Sequence, residues 1–268
     1  MSCSRRDWAL LLLCNLIWAS QFAMVKLVLG QMGPLFAVTF PFLLATILLM
    51  IVVARKGGSL RIPRRDFLPF LLLGIGGQFA AQFCITWGVD LSSASNAAIL
   101  SLALPISTAV MAYFILRETM TPMRWLSFGL AIGGFLICSW GDIKGASLGG
   151  SRTLLGTVLI FVSLNGSAFY NVYGKKLLER YSPLEVLLYS YYSATAIMLV
   201  FTMWFEPRGF ANLLHFSGSI WIGLAILTLF QYFLSMVLMM AVLTRLDATQ
   251  AGICNYLIPF LGVVIAWL

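Results

Sequence analysis

The sequence predicts an all-α polytopic membrane protein made of two inverted five-helix repeats, the second lacking its last helix. Three observations carry that prediction. Apolar residues make up 61% of the 268 residues and charged residues only 10%, where soluble domains carry roughly 25%. The apolar residues fall in runs long enough to cross a bilayer, with the charges between them. The later part of the chain also repeats the earlier part.

Nine runs have the length and composition of a span: 8–29, 34–54, 67–88, 94–116, 124–141, 154–174, 184–205, 217–243 and 248–268. Helix-stopping and charged residues separate them, as at Gly33-Pro34, Arg55-Lys56-Gly57-Gly58, Thr121-Pro122 and Ser182-Pro183. Arg5 and Arg6 precede the first run, as they would in a signal peptide. Its apolar stretch outruns a signal core, and a cut after Ser20 would put Trp18 where a small residue belongs, so it reads as an uncleaved span. With the N-terminus in the cytoplasm, only Lys26, Lys144, Arg152 and Arg208 of the 17 basic residues fall outside. The positive-inside rule therefore sets that orientation in the cell (inner or plasma) membrane, and nine spans leave Leu268 outside.

Two blocks carry the repeat. Residues 94–112 align with 248–266, pairing Ala94/Ala248, Ala97/Ala251, Pro105/Pro259 and Ala112/Ala266. Residues 34–47 align with 183–196, pairing Pro34/Pro183, Leu35/Leu184, Ala45/Ala194 and Thr46/Thr195. Span 2 then corresponds to span 7 and span 4 to span 9. An odd unit of five spans must invert when repeated, with 1–145 as the first repeat and 146–268 as the second. Inverted repeats with a solute at their interface mark many secondary transporters.

The stretch 94–136 resembles the EamA-type half-repeat of the drug/metabolite transporter superfamily. The matching features are the small-residue entry at Ala94-Ser95-Asn96-Ala97-Ala98, the mid-helix Pro105, the turn Leu116-Arg117-Glu118, and Gly129, Gly133 and Gly134 beyond it. Trp18 and Lys26 in the first span fit as well. Family members usually carry Gly where this chain has Arg117. The resemblance implies ten spans, two inverted repeats and movement of small metabolites, often amino acids, by alternating access. It also implies that spans 1, 3 and 4 face spans 6, 8 and 9 around a central cavity. The counterpart of Glu118 would fall at position 272, so a tenth span is expected that this chain does not contain.

Polar residues inside spans are costly in lipid and tend to face other helices or a cavity. Asn15, Trp18, Phe22 and Lys26 share one face of span 1. Gln78 and Gln82 lie one turn apart on span 3, and Gln231 lies on span 8. Spans 4 and 9 carry the paired Asn96/Gln250 and Ser101/Asn255, and span 6 carries Asn171. These are the candidate solute-binding residues, with helix-to-helix hydrogen bonding as the alternative for each. Lys26 lies near the outer end, where it contacts an anionic group of the solute or simply snorkels. Pro105 and Pro259 interrupt their helices and are candidate gating points or fixed kinks. Tyr189, Tyr191 and Tyr192 read as interfacial anchors, and Glu118 as the partner of a basic residue or a cap of the next helix.

Other classes fit poorly. A single histidine, His215, precludes a two-histidine metal site, and no cysteine pair has CxxC spacing. No phosphate-binding glycine loop occurs, so neither cofactor nor metal is expected. The net charge of +8 comes in short clusters between spans and points to topology, not nucleic acid. An intramembrane enzyme, or a non-transporting receptor or scaffold, remains the alternative class. Nucleotide-linked or phosphorylated metabolites are the alternative substrates, and they favour more buried cations than Lys26 alone. The expected partners are a small solute and the lipid bilayer.

Overall fold

The computed structural model describes residues 5–92, 97, 100–119, 121–123, 125, 126, 129, 130, 133, 151–258 and 261. All regular structure among them is helical. Six helices are long and apolar enough to cross a membrane. These are α1 (Arg5–Leu29), α2 (Pro34–Arg55), α3 (Arg64–Leu91), α5 (Ser151–Leu177), α6 (Pro183–Phe205) and α7 (Gly218–Leu243). Shorter helices among the described residues include α4 (Leu104–Leu116) and α8 (Ala248–Cys254), with single turns at Arg208–Ala211 and Leu213–His215. Most of the fifth expected span, 124–141, lies outside the described residues, as do Asn96 and Pro259.

The helix starts follow local chemistry. Pro34 and Pro183 open α2 and α6, where a missing N–H costs nothing. Ser182 and Glu185 cap α6 reciprocally, and Asp247 and Gln250 do the same for α8. Gly57, with φ 71, takes the left-handed turn that ends α2.

The fourth span departs from the sequence reading. Instead of one helix over 94–116 kinked at Pro105, the chain turns at 102–103 and α4 starts afresh at Leu104, with Pro105 in its first turn. The proline has no N–H to offer the Ser101 carbonyl, and its ring fits a helix start. The Ala103 N–H tightens onto the Leu100 carbonyl at 2.8 Å. A matching break follows α8, where Asn255, Tyr256 and Ile258 each donate to the carbonyl three residues back.

At the centre, α2 and α6 pack antiparallel. The hydroxyls of Thr39 and Thr202 lie 2.7 Å apart, and those of Thr46 and Thr195 2.8 Å apart. Phe42 and Tyr191 stack with centroids 4.1 Å apart. Thr46/Thr195 and Phe42/Tyr191 are both pairs that the sequence repeat aligns. Tyr191 is therefore fully buried, donating to the Tyr232 carbonyl at 2.7 Å. This corrects its reading as an interfacial anchor: its position on α6 faces α2, not the headgroups.

Glycines allow α3 and α5 to touch backbone to backbone. A Cβ on Gly88 would sit 2.9 Å from the Gly156 carbonyl oxygen, and one on Gly156 would sit 2.9 Å from that of Gly88. Small residues at such crossings replace hydrophobic driving force with close packing.

Candidate functional site

Two segments of π-helix shape the middle of the bundle. One runs Leu73–Phe83 within α3, the other Leu227–Leu234 within α7. Their starts are separated by 154 residues, the offset that aligns Pro105 with Pro259. Such turns are rare and concentrate at functional sites. Here they carry Gln78 and Gln82 on one side and Gln231 on the other.

These residues border a cavity of ≈ 100 Å³. Its walls come from α1 (Trp18, Gln21), α3 (Gln78, Gln82, Ile85), Ser101 and Leu104 at the α4 break, α5 (Ser163, Ser167, Tyr170, Asn171), α7 (Gln231, Met236) and Ile258. That is spans 1, 3, 4, 6, 8 and 9, with no residue from α2 or α6.

The cavity amides form an oriented chain. Gln231 donates to the Gln21 carbonyl oxygen at 2.8 Å, and Gln21 donates to that of Gln82 at 3.5 Å. The Trp18 indole N–H donates to Ser235 at 3.0 Å, and Ser235 in turn donates to the Gln231 backbone carbonyl. Tyr170 pairs with Ser190 at 3.2 Å. Gln78 is 1% exposed and faces the Tyr170 hydroxyl, but neither of its amide atoms closes a hydrogen bond of good geometry, and the Gln231 side-chain oxygen is also unpartnered. Buried polar atoms without partners are rare in folded proteins and call for a physical reason. No Asp, Glu, Lys, Arg or His lines the cavity among the described residues.

Of the sequence-selected residues, the fold brings Trp18, Gln78, Gln82, Ser101, Asn171 and Gln231 together. It does not bring four others. Asn15 is fully buried, but its amide donates to the Leu11 carbonyl at 2.8 Å. Lys26 is exposed near the end of α1. Gln250 is the capping partner of Asp247, and Asn255 caps α8 without lining the cavity. Pro105 sits at the helix break beside the lining Leu104. Sequence reasoning missed Gln21, Ser163 and Ser167. Gln21 lies three residues beyond Trp18 on α1, and that spacing was the available signal.

One end of the bundle gathers the charges. Asp7 pairs with Arg245 at 2.8 Å. Asp66 pairs with Arg180 at 2.7 Å and accepts from the Tyr181 hydroxyl at 2.5 Å. Burial first, then that carboxylate, holds the Tyr181 phenol above its ordinary range. Glu118 pairs with Lys175 at 3.1 Å and accepts from the Ala248 and Thr249 backbone N–H groups at 2.8 and 3.1 Å. It thus caps α8 across the bundle. At the opposite end, Glu206 caps α2 through the N–H groups of Leu35 and Phe36, at 3.2 and 2.9 Å.

Membrane-crossing helices enclosing a central, uncharged polar cavity define a solute transporter of the multi-pass membrane class. The sequence matches the EamA-like transporter family over residues 8–140 and again over 154–268. The chain belongs to that family and is a transporter. An uncharacterized transporter of Archaeoglobus fulgidus is 28% identical over 96% of this chain and 87% of its own length. An S-adenosylmethionine/S-adenosylhomocysteine transporter of Chlamydia muridarum is 24% identical over 97% of this chain and 82% of its own. A probable terminal-alkyne amino-acid exporter of Streptantibioticus cattleyicolor is 28% identical over 74% and 64%. A solved crystal structure superposes with a TM-score of 0.77 over 96% of this chain and 88% of that chain, at 17% identity, which supports the fold.

Proposed function

We propose that the protein is a secondary transporter that moves small metabolites, such as amino acids, across the cell membrane by alternating access between two inverted repeats, 1–145 and 146–268. The observation that carries this reading is the cavity walled by both parts of the chain, with unpartnered amides at Gln78 and Gln231. The repeat is supported by Thr46–Thr195 and Phe42–Tyr191. Residues equivalent by repetition touch each other only beside a local two-fold axis, and antiparallel contact lays that axis across the helices. We take Trp18, Gln78, Gln82, Ser101, Asn171 and Gln231 as the solute-side set, with Trp18 the strongest single choice, and the α4 break at Pro105 as a gating point. The basic end is cytoplasmic in this reading, with the N-terminus inside. A relative named as an amino-acid exporter favours the same solute class. Phosphorylated solutes are disfavoured because no cation lines the described cavity.

Uptake of a labelled amino-acid mixture into vesicles tests the proposal. Trp18→Ala, Gln82→Ala and Asn171→Ala are each expected to lower uptake per inserted molecule. Wild-type rates in all three would make these residues packing and remove the cavity assignment.

A further inference from the structure

The transporter reading leaves the solute's charge open, and the cavity addresses it. We infer that the cavity admits only small solutes of zero net charge, and that Gln78 is the residue that sets this selection. The inference rests on the proposed transport of small metabolites.

The first ground is the donor set. The polar groups on the cavity wall are carboxamides, hydroxyls and an indole, and none of the described ones is ionisable near neutral pH. Every ion pair in the described structure lies at an end of the bundle, and Lys26 is exposed. A solute with one uncompensated charge loses hydration on entering and meets no counter-charge, which is strongly unfavourable in a low-dielectric interior. A zwitterion carries both charges in one molecule and compensates itself. Neutral amides avoid the cost altogether.

The second ground is Gln78. Its carboxamide offers a donor and an acceptor side by side, both unpartnered, on a side chain that is 1% exposed. One such group can donate to a carboxylate or carbonyl and accept from an adjacent ammonium or amide N–H. The neighbouring Gln231 oxygen supplies a further acceptor. Ile85, Leu104 and Leu164 give the rest of the solute an apolar wall.

The third ground is size. A space of ≈ 100 Å³ is well below the roughly 300–1,000 Å³ of pockets that take drug-sized ligands. It suits a small amino acid better than a nucleoside.

The test uses the purified full chain in liposomes, preloaded for exchange, with four probes. L-valine, 3-methyl-2-oxobutanoate and 2-methylpropylamine share a side chain but are zwitterion, anion and cation. S-adenosylhomocysteine, a nucleoside amino acid of zero net charge, probes size. Empty liposomes set the passive background. Valine is expected to exchange at least about tenfold faster than the anion, the cation or the nucleoside, the kind of gap that an unpaired buried charge produces. Gln78→Glu should shift the preference from valine toward the amine, whose ammonium then finds a counter-charge. Gln78→Leu should lose valine exchange without gaining the amine. Equal rates for valine and either singly charged probe, or movement of the nucleoside, overturn the inference while transport stands. So does wild-type selectivity in both variants, measured on inserted protein. If none of the four probes moves above background, the small-metabolite reading falls together with the inference.

Discussion

The basic end of the bundle and the cavity treat polar groups in opposite ways. At the basic end, Asp7, Asp66 and Glu118 are buried or nearly so, and each holds a cation, a backbone N–H or both. In the cavity, Gln78 is equally buried and holds nothing, and Gln231 leaves its oxygen unused. The charged groups are more expensive to bury, yet they are the satisfied ones. Unpaired amide atoms also occur off the cavity wall, at Asn15 and Asn255, so the contrast is between charged and neutral groups. The end of the bundle is a clasp that fixes helices α4, α5 and α8, while the cavity keeps hydrogen-bonding capacity in reserve for a visitor.

The sharpest way to break this contrast is at Glu118. Glu118→Ala takes the nearer carboxylate from the Lys175 ammonium, which keeps the Leu246 carbonyl at 2.7 Å and Asp247 at 3.6 Å, and unpairs the N–H groups that open α8. Losing one partner of a buried pair costs about 3–5 kcal/mol, and the partners that Lys175 keeps put the expectation at the low end, about 3. Thermal denaturation in detergent should show a large loss. Stability near wild type would mean that the clasp is decorative.

Next in size is Gly156→Ala, which forces a methyl against backbone at the α3–α5 crossing. Backbone cannot yield as a side-chain tip does, so a loss of about 1–3 kcal/mol is expected. It should appear as lower thermal stability and as slower transport, because α3 and α5 both carry cavity walls. Unchanged stability would show that the helices separate freely there.

Gln78→Leu sharpens the contrast from the cavity side. Removing an amide that makes no hydrogen bonds relieves a desolvation cost of about 1–3 kcal/mol. Stability should stay level or rise by about 1 kcal/mol while transport falls. A destabilisation matching that of Glu118→Ala would erase the difference between the two regions.

Much of this architecture was legible in the sequence. Apolar run length located the six long helices, because a bilayer fixes how many residues a span needs. Polar residues set in apolar runs named six of the cavity residues, because lipid penalises them anywhere else. Depth was not legible. Asn15 shares a helical face with Trp18, but a turn nearer the basic end its amide N–H turns back onto the Leu11 carbonyl and it lies off the cavity wall. Nor was the change of helix type at Leu73 and Leu227, since α and π turns present the same apolar composition. The α4 break was read as a kink because Pro105 is compatible with both; the backbone decides which, and composition does not record it. The cross-bundle cap by Glu118 depends on a contact 130 residues away along the chain, beyond any local pattern.

The smallest expected effect lies beside that clasp, at Arg117. It is the one non-glycine residue at positive φ among the described residues, at 58°, in the left-handed region. An L side chain there costs roughly 1–2 kcal/mol. Its side chain is exposed, so little packing repays that cost. The turn itself is needed, because it swings Glu118 toward the start of α8, where it meets Ala248 and Thr249. Glycine adopts the same turn without strain but loses more entropy on folding, by roughly 0.5–1 kcal/mol. The balance favours Arg117→Gly by about 0.5–1 kcal/mol, with transport unchanged because the site is remote from the cavity wall. A modest rise in melting temperature at equal transport is the expected result. A fall would mean that the Arg117 guanidinium makes a contribution at the basic end that outweighs its backbone strain.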